Sequence, residues 1–166
     1  VDTILAAIRM LPSIQFVFTG GGARLDAIRN AGAANVELRP YAPRERLSES
    51  LSSVDVHLVS LQPALEGLIV PSKFYGVLAV ARPVIFIGAR DGELARIIDA
   101  HRCGIVVEAG DARGLAEAIL RLQNDREECE AMGRRGRELY LRCFAPRAAF
   151  EAWERVLEPS SPPRDR

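Results

Sequence analysis

"VPSKFYGVLAVARPVIF", residues 70–86, decides how this chain folds. Pro71 biases Val70 away from helical angles, so a helix cannot begin before it. Ser72 stands where an N-cap belongs, its hydroxyl in reach of a free amide two or three residues on. Lys73, Phe74 and Tyr75 then form the first turn, and Phe74, Val77, Leu78 and Ala81 recur at helical spacing as core. Gly76, Ala79 and Ala81 keep the helix slim, for close packing on a sheet or for clearance around a ligand. "PVIFIGA" (83–89) follows as an apolar strand without polar alternation, the mark of a strand covered on both faces.

The same alternation extends outward in both directions. Upstream, "IQFVFTG" (14–20) reads as a strand and "ARLDAIRNAG" as a helix ending at Gly32. "NVELRP" is a short strand, "PRERLSESLSSV" an amphipathic helix with Pro43 in its first turn, and "DVHLVSL" (55–61) a strand. Downstream, Asp91 caps the helix "DGELARIIDAH", "CGIVVEAG" is a strand, and Asp111 caps "ARGLAEAILRLQND". The end turns helical, with "REECEAMGRRGRELYLRC" and "RAAFEAWERVLE". Strands alternating with helices predict one α/β domain over residues 1–158, a Rossmann-like three-layer α/β/α parallel sheet with extra C-terminal helices. "PSSPPRDR" (159–166) reads as a disordered tail.

Composition narrows the functional classes. The 166 residues are long enough to bury a substantial core, and 22 basic residues balance 22 acidic ones. That balance argues against a nucleic-acid partner or a membrane surface as the dominant attraction. No apolar run approaches the roughly 20 residues that span a bilayer. Cys103, Cys129 and Cys143 lack C-x-x-C spacing and read as reduced structural thiols of a cytoplasmic protein. His57 and His101 stand far apart, so no metal site and no Ser–His–Asp or Cys–His arrangement is expected. His57 reads as a core or sheet-face residue, and His101 suits the end of a helix. The start at "VDTILAAIRML" suggests a piece of a longer protein.

Ligands of parallel α/β sheets sit beyond the carboxyl ends of the strands. Gly20, Gly21 and Gly22 in "TGGGAR" allow close backbone approach there, although the spacing is neither G-x-G-x-x-G nor a P-loop, and a tight strand-to-helix turn explains them as well. Lys73 is the sole lysine among 22 basic residues. A cation at a helix start opposes the dipole unless an anion lies nearby, which points to a phosphate. Glu66, beside Gly67, could accept sugar hydroxyls or be solvated, and Glu93 is explained by the dipole of its own helix.

Taken in order, "FVFTGGG", "NVELRPYAPRERLSESLSSVDVHLVSL", "PSKFYGVLAVARPVIF", "GIVVEAGDARGLAEAILRL" and "MGRRGRELY" resemble the C-terminal half of family-four glycosyltransferases. The likeness is to those of the exopolysaccharide and colanic-acid type and spans residues 2–157. It implies a GT-B enzyme with two facing Rossmann-like domains, this one binding a nucleotide-diphosphate sugar. It also implies a terminal helix, "RAAFEAWERVL", that crosses back to the other domain. By the resemblance, Gly20–Gly22 border the donor site and the loop of Arg39 and Tyr41 packs the base. Glu66, Gly67, Leu68 and Ile69 meet sugar and pyrophosphate, while Ser72, Lys73 and the helix they open face the phosphates. It implies no cofactor, a glycan or lipid-linked acceptor held by the other domain, and a cytoplasmic enzyme that can associate peripherally with the membrane. Retention of anomeric configuration belongs to the same expectation.

Two departures stand out. The glutamate that binds the ribose hydroxyls in many members falls at Gly76, and the one eight positions earlier falls at Leu68, leaving Glu66 out of register. The catalytic arginine and lysine of the family have no counterpart near Val1. A non-catalytic relative serving as a scaffold or interaction domain is the alternative that Gly76 favours.

Overall fold

The computed structural model describes residues 1–22 and 24–157. The domain limit at 158 and the tail 159–166 lie outside the described residues. The order is α1 (Asp2–Met10), β1 (Phe16–Thr19), α2 (Leu25–Asn30), β2 (Val36–Arg39), α3 (Leu47–Ser52), β3 (His57–Ser60) and α4 (Lys73–Ala79). Then come β4 (Val84–Ile87), α5 (Glu93–His101), β5 (Gly104–Val107), α6 (Ala112–Asn124), α7 (Arg126–Leu139) and α8 (Pro146–Leu157). Every strand expected from the sequence is present. α1 is an addition to that reading, its Ile4, Ala7 and Ile8 buried on one face.

All strand pairs are parallel, but they form two ladders rather than one sheet: β1-β2, and β3-β4-β5. The central strand β4 is buried at all four positions, which is why its sequence shows no alternation. Two apolar clusters cover the faces. One gathers Ile8, Phe16, Ile85, Ile87, Leu115 and Leu122, so both ladders share it. The other gathers Phe74, Leu78, Phe86, Ile98 and Leu139.

Several local expectations are corrected. Ser72 occupies the N-cap position of α4 in αR angles, with no hydrogen bond from its hydroxyl. The turn is closed instead by the Phe74 amide donating to the Pro71 carbonyl at 3.0 Å. Gly92, not Asp91, precedes α5, whereas Asp111 caps α6 by accepting from the Gly114 amide at 2.7 Å. Residues 43–54 split into a 3-10 turn (Arg44–Arg46) and the short α3, with no residue of either buried, and Pro43 lies outside the first turn. Ala81 does not continue the core stripe, because α4 ends at Ala79 and Ala81 is left-handed at φ 55°.

The packing of α4 against α7 explains that strain. A Cβ on Gly133 would collide with the Ala81 carbonyl oxygen, and one on Gly136 would come within 2.9 Å of Leu78 Cδ2. Gly133 and Gly136 lie three apart on one face of α7, so the two helices approach to backbone distance. The Arg137 guanidinium reaches the Ala79 carbonyl across the same seam. Cys103 and Cys129 are buried free thiols, but Cys143 is exposed rather than structural. Burial pushes the Cys103 thiol up to about 11.

Candidate functional site

Because the strands are parallel, the loops after β1, β2, β3, β4 and β5 open on the rim at their carboxyl ends. Two parts of that rim are well defined. In the first, Tyr41 lies over the glycine loop. Its hydroxyl donates to the Gly21 carbonyl at 3.3 Å, and a Cβ on Gly20 would stand 2.6 Å from its Cε1. Gly20 is left-handed at φ 106°, so both the angle and the ring call for glycine there. Gly22, at φ 146°, has nothing within 4 Å of the Cβ position and faces open space. Tyr41 keeps three-quarters of its surface exposed (75%), leaving ring area for a ligand.

Arg39 contributes through its backbone: its carbonyl accepts from the Gly20 amide at 2.9 Å. Its guanidinium is engaged elsewhere, donating to Glu37 at 2.7 Å and to the Ser53 hydroxyl at 3.2 Å. The hydrogen bond from Arg39 holds Glu37 below the usual carboxylate range. Arg39 thus stands in the loop the sequence reading assigned to the base, with its carbonyl on the glycine loop and its side chain on Glu37 and Ser53.

In the second part, the loop from Leu61 to Val70 and the start of α5 enclose a cavity of about 120 Å³, lined by Glu66, Leu68, Ile69 and Glu93 among others. Glu66 turns inward. Its Oε1 is buried without a hydrogen-bond partner among the described residues, and it lies so close to Gly92 that a Cβ there would collide with it. An unpaired buried carboxylate oxygen costs roughly 1–3 kcal/mol. The cavity is small beside the roughly 300–1,000 Å³ of sites that enclose a whole small ligand. It suits one group of a ligand. Leu68, Ile69 and Val70 stand exposed at its lip.

Lys73 opens α4, the helix that carries the chain from the rim end of β3 back to the start of β4. It is exposed and makes no hydrogen bond or ion pair among the described residues. At Gly76, one turn on, a Cβ would stand 3.2 Å from Leu51 Cδ1, the single neighbour within 4 Å of that position. The α3 side chain Leu51 fills the direction a longer side chain would take. Beneath it, His57 Nε2 donates to the Leu51 carbonyl at 2.8 Å. Burial, and more weakly the positive charges of Lys73 and Arg82, depress the His57 pKa below 6.5.

The opposite edge of the strands holds a larger but open hollow of about 290 Å³, lined by His101, Arg102, Arg135, Glu138 and Arg142. It lies at the amino ends of the strands, where α/β sheets do not present their ligand sites. Among the described residues no group of three or more His, Cys, Asp and Glu could hold a metal ion. No helix among them is long and apolar enough to cross a membrane.

The family described as Glycosyl transferases group 1 matches residues 1–125. The chain belongs to that family. A probable glycosyltransferase of Pseudomonas aeruginosa, WbjE, is 32% identical over 126 residues, which are 72% of this chain and 31% of WbjE. Among solved structures, sucrose-phosphate synthase from Thermosynechococcus elongatus superposes with a TM-score of 0.76 at 22% identity, over 96% of this chain and 42% of that one. HepE of Anabaena, solved with UDP-glucose, gives 0.74 at 12% identity over 93% and 44%. TarM of S. aureus, solved with UDP and glycan ligands, gives 0.73 at 19% identity over 93% and 31%. The α/β architecture is thus that of GT-B glycosyltransferases, and the chain spans less than half the length of each of these proteins.

Proposed function

We propose that this chain is the C-terminal, donor-binding domain of a GT-B glycosyltransferase of the exopolysaccharide or colanic-acid type. The enzyme moves a sugar from a nucleotide diphosphate to a glycan or lipid-linked acceptor, with retention at the anomeric carbon. The observation that carries the reading is the rim itself. An aromatic ring lies over a glycine loop on one ladder, and the chain's only lysine stands beside the other, unpaired among the described residues. Tyr41 and the Gly20–Gly22 loop take the base and nucleoside. Lys73, with the amides around it, takes the diphosphate, and Glu66 accepts a hydroxyl of the hexose. The diphosphate neighbourhood is sparser in amides than the sequence suggests, because Phe74 spends its own on Pro71.

The reaction breaks the bond from the anomeric carbon to the diphosphate oxygen and forms one to an acceptor oxygen, whose proton must leave. Catalysis then rests chiefly on stabilising the departing diphosphate while positive charge gathers on the sugar ring. Lys73 is the group here suited to that task. The facing domain supplies the acceptor site and the remaining catalytic groups. We place the enzyme in the cytoplasm, peripherally on the membrane face where lipid-linked acceptors lie. UDP and UDP-glucose, bound by TarM and HepE, are the first donors to test.

The second reading, a non-catalytic scaffold, draws on Gly76, whose side-chain direction is taken by Leu51. Calorimetric titration of the full-length protein with UDP, GDP and their sugars separates the two. Heat with one of these, and turnover with an acceptor, supports the enzyme. Silence with every donor, and no turnover, supports the scaffold.

A further inference from the structure

The hollow at the amino ends of the strands is no part of the donor rim, so its charge needs a reason of its own. Three guanidinium groups line it, those of Arg102, Arg135 and Arg142, with a single carboxylate, Glu138. Like charges gathered on one concave surface raise the local potential and draw in ions of the opposite sign. Compensation from within the protein reaches one of the three. Arg135 is held at two points, donating from Nε to the Arg102 carbonyl at 2.7 Å and from Nη2 to Glu128 at 2.8 Å. Arg102 and Arg142 are exposed, and their side chains make no hydrogen bond or ion pair among the described residues.

The backbone under each of these two arginines is unusual. Arg102 follows α5 at φ 49°, a left-handed position that glycine ordinarily fills. A side chain there costs roughly 1–2 kcal/mol. The helix end does not call for an arginine, because the Arg102 and Cys103 amides already reach the Asp99 and Ile98 carbonyls. Arg142 stands four residues after Glu138, the spacing at which Arg113 and Glu117 pair at 3.0 Å on α6. Here the helix widens into a π turn over Tyr140–Phe144, and no ion pair joins Glu138 to Arg142. Widened turns of this kind are frequent at functional sites. The hollow holds about 290 Å³, near the lower end of the roughly 300–1,000 Å³ of small-molecule sites.

We propose that this hollow is a second ligand site, for a small soluble phosphate monoester that also carries hydroxyl groups, a sugar phosphate in chemical class. Arg102 and Arg142 close on the phosphate beside Arg135, whose five N–H donors are not all spent on its two partners. A phosphate suits the guanidinium fork and brings the negative charge that the hollow lacks. Glu138 accepts from the hydroxyls, which gives the carboxylate a task beside the arginines. The site is separate from the donor rim, since α5 lies between them. The first turn of α5 lines the Glu66 cavity and its last turn lines this hollow.

Equilibrium binding to the full-length protein tests the site, with glucose 1-phosphate, inorganic phosphate and glucose as probes. Glucose 1-phosphate is expected to bind more tightly than inorganic phosphate, and glucose not at all. Arg102→Gly keeps the carbonyl that Arg135 uses and suits the left-handed angle. It should weaken glucose 1-phosphate about tenfold while Tm stays level or rises. Arg142→Ala should weaken it by a similar factor, and Lys73→Ala should leave it within about twofold. Binding that survives both arginine changes, or that falls with Lys73→Ala, overturns the proposal. So does equal affinity for inorganic phosphate, or binding seen only with vesicles of phosphatidic acid. The donor reading stands apart: a protein that takes glucose 1-phosphate in this way and ignores UDP keeps the second site and loses the first.

Discussion

Two sets of glycines contrast the molecule's body with its rim, although Gly32, left-handed and open just after α2, shows that an empty Cβ position is not confined to the rim. At Gly88, Gly104, Gly133 and Gly136 the place of a side chain is already filled, by the Phe86 ring, the Val84 carbonyl, the Ala81 carbonyl and Leu78 respectively. At Gly22, Gly67 and Gly110 the backbone is left-handed and nothing lies within 4 Å. The first group exists because protein packs against backbone. The second group sits in loops after strands, where emptiness beside an unusual backbone angle leaves room for something else. A glycine in sequence looks the same in both settings, and only the neighbours tell them apart.

Substitutions should divide along that line. Gly104→Ala drives a methyl into the Val84 carbonyl and should cost about 3 kcal/mol or more, a fall of roughly 6–12 °C in Tm for a domain of this size. Gly22→Ala should cost only about 1 kcal/mol of backbone strain. Equal losses in thermal melts would erase the distinction. At the rim, Lys73→Ala should weaken UDP binding about tenfold while leaving uridine within twofold, since a charge-assisted contact is lost from the diphosphate alone. Tyr41→Ala should weaken uridine and UDP alike, by roughly fivefold, as expected when stacking area goes. If Tyr41→Ala spares uridine, the base lies elsewhere.

The body offers two finer tests. His57 is held neutral by burial, with its folded pKa below the unfolded 6.5. The stability this confers is present above pH 6.5 and is lost as pH falls from there through the folded value. His57→Gln should flatten that part of a urea-denaturation profile measured between pH 7.5 and 5. A profile that keeps its slope places the sensitivity on another group. Last, Ala81→Gly relieves the left-handed angle at φ 55° and should raise stability by at most about 1 kcal/mol. A fall in Tm would show that the Cβ of Ala81 is worth more in packing than its angle costs.

Much of this was legible in the residues. Apolar β-branched runs located all five strands, and the spacing of Phe74, Val77 and Leu78 gave the buried face of α4. Gly76 illustrates the limit. The sequence shows a missing carboxylate but not that Leu51, twenty-five positions earlier, stands beside it. Capping failed at Ser72 because a carbonyl from Pro71 reached the amide first, a competition that depends on loop shape. The split into two ladders was also hidden, since hydrogen-bonded neighbours are a property of the folded sheet. Gly133 and Gly136 carried a usable signal: two glycines three apart in an otherwise polar helix mark a close approach of another backbone.

The central claim is that a nucleotide diphosphate lies across the rim between Tyr41 and Lys73. A crystal structure of the full-length protein with UDP-glucose tests it most directly. The account predicts the base against the Tyr41 ring, the diphosphate within hydrogen-bond distance of Lys73 Nζ, and the hexose hydroxyls at Glu66. A nucleotide bound at any other edge, or a Lys73 turned from the phosphates into solvent, would contradict it.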